Sequence, residues 1–465
     1  MTGSFSVAMT EATDLTLRQH LSGSDGQEDL CFALYHPSRG VQRFSSLLAE
    51  VIGPRSGERQ VHGTASFNAA YFERVLDLAI SRGTGIAFLH SHPQASDWQC
   101  MSETDRLAEA GMTGATMAAT GLPLVGLTLS GRSGVWSARH WHRVEPRIWE
   151  HRDCDSVRVV GRCLTSHFCP LVKPAPPVSP GLVRTAHAWS AAVQSQLTRI
   201  RVGVVGLGSV GALVIEQLAR MGFSEVLAFD FDALEEHNLD RTLHAYPENV
   251  KAGDLKVSLA ARSSMRAAVT PGFKALPISC GIQDISAYRR ALDCDVVFSC
   301  VDRPWPRSIL NHLAYANLIP VIDGGIDVSQ TPSGGLRSAD WGTFVVGPSR
   351  RCLECAGQYD AGLVSVEQGG DLDDPAYIES LPEEHSLRKR QNVFSFSMAL
   401  AAMEVMKLVQ LVARPAGDTA PDEERYVFPA GNVEQLPVGT CERHCSFQEI
   451  VGRGENGGHP GTTTF

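Results

Sequence analysis

Residues 89–105 read LHSHPQASDWQCMSETD and carry three side chains of the kind that ligate transition metals. His90 and His92 end an apolar run that reads as a strand. Residues two apart on a strand share a face, so both imidazoles can reach one ion. Asp105 follows in an expected helix that Ser102 would cap. Two histidines and one aspartate leave a fourth tetrahedral position for water, which is the pattern of a catalytic zinc and not of a closed structural one. Such an ion lowers the pKa of its water toward neutrality, and a nearby carboxylate can then serve as general base. An isolated His-x-His would read as a satisfied core pair; the proline, serine and aspartate after it favour the metal. A second constellation is VGVVGLGSVG at 202–211, where an apolar strand meets Gly206-x-Gly208-x-x-Gly211. Glycine there permits a tight turn, close approach to phosphate and tight helix packing, and the next helix adds its positive end. Asp230, ending the next strand, suits ribose hydroxyls. Taken alone, this fingerprint fits an NAD-dependent oxidoreductase equally well. A third is Cys352-x-x-Cys355 with Cys441-x-x-x-Cys445, two chelating pairs for a closed structural zinc, with His444 as an alternative to Cys445.

Strands are expected over 31–35, 85–90 and 124–129, and an amphipathic helix over 67–80 from Phe67, Tyr71, Val75, Leu76 and Ile80. Ser66 and Asn68 are its candidate caps, and Gly83 follows its end. Residues 167–183 hold five prolines, so an extended connector is expected. Strands then alternate with helices (202–205, a helix from Gly211, 225–229, 295–300), which predicts a mostly parallel sheet of the α/β class. The Gly- and Thr-rich end reads as a frayed tail. The expected organisation is 1–150, a linker at 151–183, a second domain at 184–450 and a flexible tail at 451–465.

The 465 residues carry 41 basic and 51 acidic side chains, a net charge of −10 with no basic stripe, which argues against nucleic acid as a partner. The most apolar long stretch, 393–413, contains Glu404 and Lys407 and reads as a buried helix, so no membrane partner is expected. The first twenty residues lack a basic start and apolar core, so a cytoplasmic chain with reduced or metal-bound cysteines is expected.

The first segment resembles the JAMM (JAB/MPN) zinc metalloproteases, whose pattern is a Glu, then H-x-H-P, then S-x-x-D. The resemblance covers about the first 140 residues and implies an α+β metalloprotease-like domain. It makes His90, His92 and Asp105 the ligands of a catalytic zinc, and Ser102 a holder of the tetrahedral oxyanion. The family's water-activating Glu falls on Glu28, at the head of EDLCFALY, with Glu50 as the rival. The spacing from His92 to Ser102 is longer than usual by a loop insertion, Asp97-Trp98-Gln99.

The second segment, about 184–445, resembles the E1-like ThiF/MoeB/HesA adenylyltransferases, a Rossmann-like fold. Asp230-Phe231-Asp232, then His237-Asn238-Leu239-Asp240-Arg241, Lys256 and Cys300-Val301-Asp302 keep the family's order, with His237, Thr242 and Val301 departing from its usual residues. The resemblance implies that ATP is held by Gly206, Gly208, Gly211, Asp230 and Asp232. Asn238, Arg241 and Lys256 would lie on its phosphates and Asp302 on Mg²⁺. It also implies a homodimer in which Arg184 reaches the neighbouring nucleotide. The substrate implied is the C-terminal glycine of a ubiquitin-like or sulfur-carrier β-grasp protein. No cysteine lies between Cys355 and Cys441, where many members carry a thioester-forming one; that loop has Asp360, Asp371, Asp373, Asp374, Glu383 and Glu384. The adenylate would then pass to an E2-like or sulfur-donor acceptor protein. Together the two resemblances imply a zinc (iso)peptidase joined to an adenylyltransferase. The alternative is activation of a sulfur carrier for thiocarboxylate formation.

Overall fold

The run LCFALY at 30–35 has no polar member because both faces of its strand are buried. A computed structural model describes residues 3–461 except 24, 25, 63, 382–387, 389, 390, 416, 418, 419, 437 and 438; Glu383 and Glu384 lie outside the described residues. The chain forms two compact units.

Unit 1 takes in Met1–Ala175, Ala316–Leu318 and Ile450–Gly458. Its strands are β1 (Ser4–Thr10), β2 (Leu30–Arg39), β3 (Arg43–Ile52), the short pair β4 (Arg59–His62) and β5 (Thr64–Phe67), β6 (Gly85–His92), β7 (Val125–Ser130), β8 (Trp136–Glu145), β9 (Ile148–Asp153), β10 (Ser156–Val160) and β11 (Leu164–Phe168). Nine of them make one mixed sheet in the order β11-β10-β1-β3-β2-β6-β7-β8-β9. Side chains alternate across its centre. Cys31, Ala33, Tyr35, Ala87 and Leu89 join one core, and Leu30, Phe32, Leu34, Ile86 and Phe88 join the other. A strand buried on both faces reads as a continuous apolar run. The second core is covered by Tyr71, Val75 and Ala79 of helix Ala69–Arg82 and by Met112 of helix Glu103–Thr120. The first of these helices starts two residues later than the apolar spacing suggests. Asn68 caps it, accepting the Tyr71 N–H, and Gly83 closes it in the left-handed conformation, while Ser66 and Phe67 belong to β5.

Two expectations about boundaries need correction. Residues 156–160 and 164–168, expected in a linker, are strands β10 and β11, because β10 pairs in parallel with β1, from Ser6↔Ser156 to Thr10↔Val160. Residues 450–458, expected in a frayed tail, group with unit 1: Glu455 pairs with Arg39, and Asn456 bonds His36 at 3.0 Å.

Unit 2 holds β12 (Arg201–Val205), β13 (Glu225–Phe229), β14 (Lys274–Ile278), β15 (Val296–Ser299), β16 (Val321–Gln330), β17 (Leu336–Val346), β18 (Glu423–Val427) and β19 (Asn432–Leu436). The order is β14-β13-β12-β15-β16-β17-β18-β19. The first five are mutually parallel and the last three antiparallel. The long apolar helix Phe394–Ala413 packs on β16 and β17 with Glu404 and Lys407 buried. Its length and composition would let it cross a membrane, but Lys407 is committed to Glu424 at 3.1 Å and to the Pro421 carbonyl.

His140 on β8 is buried, stacked on Phe5 at 4.0 Å and meeting the Phe44 edge at 5.2 Å, with His142 next on its face and Arg152 opposite. Burial, and then His142, lower its pKa to about 3. The unfolded chain therefore takes up a proton near pH 6.5 that the folded unit refuses, and stability falls as pH drops from 6.5 toward 3 by about 1.4 kcal/mol per pH unit. His140→Phe should flatten that slope in urea midpoints measured between pH 7 and 5.

Candidate metal centre and nucleotide site

His90 and His92 extend the face that begins with Ile86 and Phe88, so they emerge where the apolar face of β6 runs out. Helix Glu103–Thr120, packed on that face, delivers Asp105 from its first turn. Asp105 Oδ1 lies 3.5 Å from His90 Nε2, and Oδ2 lies 3.5 Å from His92 Nε2. One ligand atom from each of the three residues falls within 4.8 Å of the others. Burial opposes the Asp105 carboxylate, but hydrogen bonds from both histidines hold it well below the usual carboxylate range. Asp105 in turn raises His92, whereas burial lowers His90. The donor set is that of an open zinc site, and the three residues fit that ion.

Ser102 is the helix N-cap: its hydroxyl accepts the Asp105 N–H at 3.2 Å and donates to Asp105 Oδ2 at 2.7 Å. It therefore orients the aspartate. The insertion at 97–99 is tied down, with Asp97 N–H on Ser133 Oγ at 2.9 Å and Gln99 N–H on Ser137 Oγ at 2.7 Å.

Strand register separates the two candidate bases. β2 and β6 pair Leu30 with His90, and Ser91 donates to the Asp29 carbonyl at 2.9 Å. Continued past Asp29, that register leads Glu28 toward His92, and the Glu28 carboxylate adds to the rise in the His92 pKa. Glu50, in contrast, is ion-paired to Arg82 and half exposed.

In unit 2, Gly206 has φ of 87° and a Cβ there would lie 2.5 Å from the Cys300 carbonyl oxygen; at Gly211 it would lie 1.8 Å from the Gly206 oxygen. Gly208 faces open space. The Asp230 carboxylate accepts the Leu207 N–H at 2.6 Å and the Asp232 N–H at 2.8 Å, so it organises the glycine loop as well as facing the crevice. Burial raises its pKa, opposed by those two donors. Lys256 begins a helix, and its Nζ lies 2.7 Å from Asp232 Oδ2. Asn238 uses its oxygen to accept the Glu235 N–H, leaving its amide nitrogen without a protein partner among the described residues. Arg241 pairs with Asp240 at 3.0 Å and makes no hydrogen bond to the glycine loop among the described residues. Asp302 is exposed two residues past Cys300, and Arg184 is exposed on helix Val183–Trp189. Sequence reasoning missed Asn392, which donates to Ser209 of the glycine loop at 2.9 Å from 183 positions away. Acids of the 358–391 segment have structural duties: Asp360 and Asp374 cap helices and Asp373 pairs with Arg303.

Cys352, Cys355, Cys441 and Cys445 bring their sulfurs within 4.8 Å of one another, with 3.7 Å between Cys352 and Cys445. Thiolates around tetrahedral zinc at about 2.3 Å stand roughly 3.8 Å apart, so the four fit that ion. His444 is exposed and outside the cluster. A hydrogen bond from the Cys352 thiol, and then the Cys352 N–H, hold Cys441 down to about 5. Cys441→Ser should remove one zinc per chain by metal analysis and lower the melting temperature by on the order of 10 °C.

A ThiF family model matches residues 182–428. The molybdopterin-synthase adenylyltransferase of Escherichia coli (strain K12) is 30% identical over 132 residues, 28% of this chain and 51% of that protein. The SAMP-activating enzyme E1 of Haloferax volcanii is 29% identical over 133 residues, 29% of this chain and 48% of that protein. The chain thus spans about half the length of the curated relatives it matches. The crystal structure of E. coli MccB with ATP is 17% identical with a TM-score of 0.43, over 58% of this chain and 74% of that one. With more than half its length matched by that model, the chain belongs to the ThiF family.

Proposed function

We propose that the chain is a bifunctional enzyme acting on the C-terminus of a ubiquitin-like or sulfur-carrier β-grasp protein. Unit 2 adenylates the terminal glycine, and unit 1, a JAMM-type centre, trims or deconjugates the tail.

The adenylation half rests on Asp230, whose carboxylate gathers Leu207 and Asp232 and so sets the glycine loop beside Lys256. A carboxylate oxygen of the carrier attacks the α-phosphorus of ATP, the bond from that phosphorus to the bridging oxygen breaks, and pyrophosphate leaves. Backbone N–H groups from Gly208 onward and the start of the helix at Gly211 would face the phosphates, the Leu207 N–H being held by Asp230. Lys256 and Arg241 exchange Asp232 and Asp240 for phosphate oxygens; both pairs are partly exposed and cost little to part. Asp302 would hold Mg²⁺, which when bound spreads the charge of the leaving pyrophosphate.

The peptidase half rests on the convergence of His90, His92 and Asp105 opposite Glu28. Bound zinc would lower the pKa of the attacking water. Glu28 takes that water's proton and returns it to the leaving amine, while Ser102 keeps Asp105 aligned. Burial, then the Glu404 and Asp323 carboxylates, push the Cys300 thiol well above its ordinary pKa, which suits hand-over to an outside acceptor whether the carrier serves conjugation or sulfur transfer. The crevice then offers no thiolate there, and the adenylate passes to an outside donor.

The test is intact mass of a ubiquitin-like protein bearing a short tail beyond its glycine, incubated with the chain, zinc and Mg-ATP. Loss of the tail and gain of an AMP mass are expected. Glu28→Gln should slow trimming by about 100-fold or more and leave adenylation intact. Asp302→Ala should cut ATP–pyrophosphate exchange by about 100-fold or more and spare trimming. No mass change with several such carriers would sink the reading.

A further inference from the structure

The glycine loop of unit 2 carries one side-chain hydroxyl that none of these steps uses. Ser209 follows Gly208, which faces open space, and precedes the helix that starts at Gly211. Its hydroxyl oxygen lies 2.9 Å from Asn392 Nδ2. Asn392 stands between the 358–391 segment and helix Phe394–Ala413. Its side-chain oxygen accepts the Val393 N–H at 2.7 Å and the buried Ser397 hydroxyl at 3.1 Å. Ser209 is half-buried, so it is not closed to a ligand.

The inventory of donors and acceptors sets the direction of this contact. Two donors on the Asn392 oxygen fix its amide, since the flipped group would turn N–H against both. The amide nitrogen has no lone pair to offer, so the Ser209 oxygen must accept, and the Ser209 hydrogen is left to donate. No acceptor takes it among the described residues. The N–H groups of Gly208, Ser209, Val210 and Gly211 also take no protein acceptor among the described residues, whereas the Leu207 N–H is held by Asp230. Four N–H groups and one O–H are thus gathered at the start of a helix, whose dipole adds positive charge there, and such a set of donors suits an anion.

We propose that the Ser209 hydroxyl is a phosphate-binding group of the nucleotide site, donating to a phosphate oxygen of ATP beside those N–H groups, and that Asn392 is the positioning residue that aims it. The proposal rests on reading unit 2 as an ATP site. A hydrogen bond to a charged oxygen changes affinity by about ten- to a hundredfold. Because Asn392 leads into helix Phe394–Ala413, the aim of the hydroxyl follows the seat of that helix on the helix from Gly211.

The experiment measures binding to the full chain, Mg-ATP by titration calorimetry and adenosine by ligand-observed NMR. Ser209→Ala should weaken Mg-ATP by about tenfold or more and leave adenosine, which has no phosphate, unchanged. Asn392→Asp keeps the oxygen that accepts from Val393 and Ser397, but it offers Ser209 an acceptor that draws the hydrogen away from the phosphates. It should weaken Mg-ATP by a similar factor in the wild-type chain and add little in Ser209→Ala, whereas repulsion by the new charge would cost as much in either. Unchanged ATP affinity in Ser209→Ala, an equal loss for adenosine, or a full further loss from Asn392→Asp in that background overturns the proposal alone. A wild-type chain that binds Mg-ATP no tighter than adenosine overturns the adenylation reading and the proposal with it.

Discussion

The glycine-loop crevice of unit 2 depends on one steric condition: the backbone at Gly206 lies against the Cys300 carbonyl with no side chain between them. Parallel pairing of β12 with β13 and β15 brings Val205, Phe229 and Ser299 level, so the loops after these three strands leave from one edge. Those loops carry Gly206–Gly211, Asp230–Asp232 and Cys300–Asp302. A side chain at 206 would push the first loop off the third, and one at 211 would strike the Gly206 carbonyl. The Asp230 carboxylate then joins the first two loops through the Leu207 and Asp232 N–H groups. This is the crevice beyond the carboxyl ends of the strands where open α/β sheets bind ligands, on either side of which the strand order reverses.

Unit 1 reaches its cluster through register instead. The antiparallel pairing of β2 with β6 puts Phe32 beside Phe88 and Leu30 beside His90, and the chain entering β2 brings the Glu28 charge within reach of His92. A slip of one residue would turn all the ionisable members of that row to the opposite core. The aromatic cluster of Phe32 with Phe67, Tyr71 and Phe88, at ring separations of 4.9–5.3 Å, makes such a slip costly. The candidate ligands His90 and His92 sit at the end of a face whose other members are apolar, and the packing of those members fixes where they fall.

How much the sequence could reveal depended on how local each signal is. His-x-His, Ser-x-x-Asp, the glycine pattern and the cysteine pairs are short-range, and the structure brings the members of each together. The end of the first unit was not legible, because nothing within 151–168 announces that β10 will pair with β1 about 150 positions earlier. The grouping of 450–458 with unit 1 was hidden by a composition that reads as a loose end. Glu28 and Glu50 could be told apart only by register and by Arg82. The contact of Asn392 with Ser209 was hidden too, because the packing of helix Phe394–Ala413 on the helix from Gly211 decides it.

If unit 2 adenylates a carrier as proposed, the same crevice geometry constrains the fate of the adenylate. Cys300 stands at the crevice, but its sulfur lies 3.7 Å from Glu404 Oε2, and two buried carboxylates oppose its ionisation. A thiol attacks as thiolate, so this arrangement works against Cys300 as nucleophile. Cys280 leaves the sheet after β14, two strands from β12, Cys294 is buried before the start of β15, and Cys352, Cys355, Cys441 and Cys445 share one cluster. In the proposed role, the crevice carries the charges needed to form a mixed anhydride and, among the described residues, Cys300 beside them is not poised as a thiolate to consume it. On the proposed reading, the energy stored in the anhydride is released to a group that another protein brings, and the accessibility of that edge to a partner becomes part of the reaction.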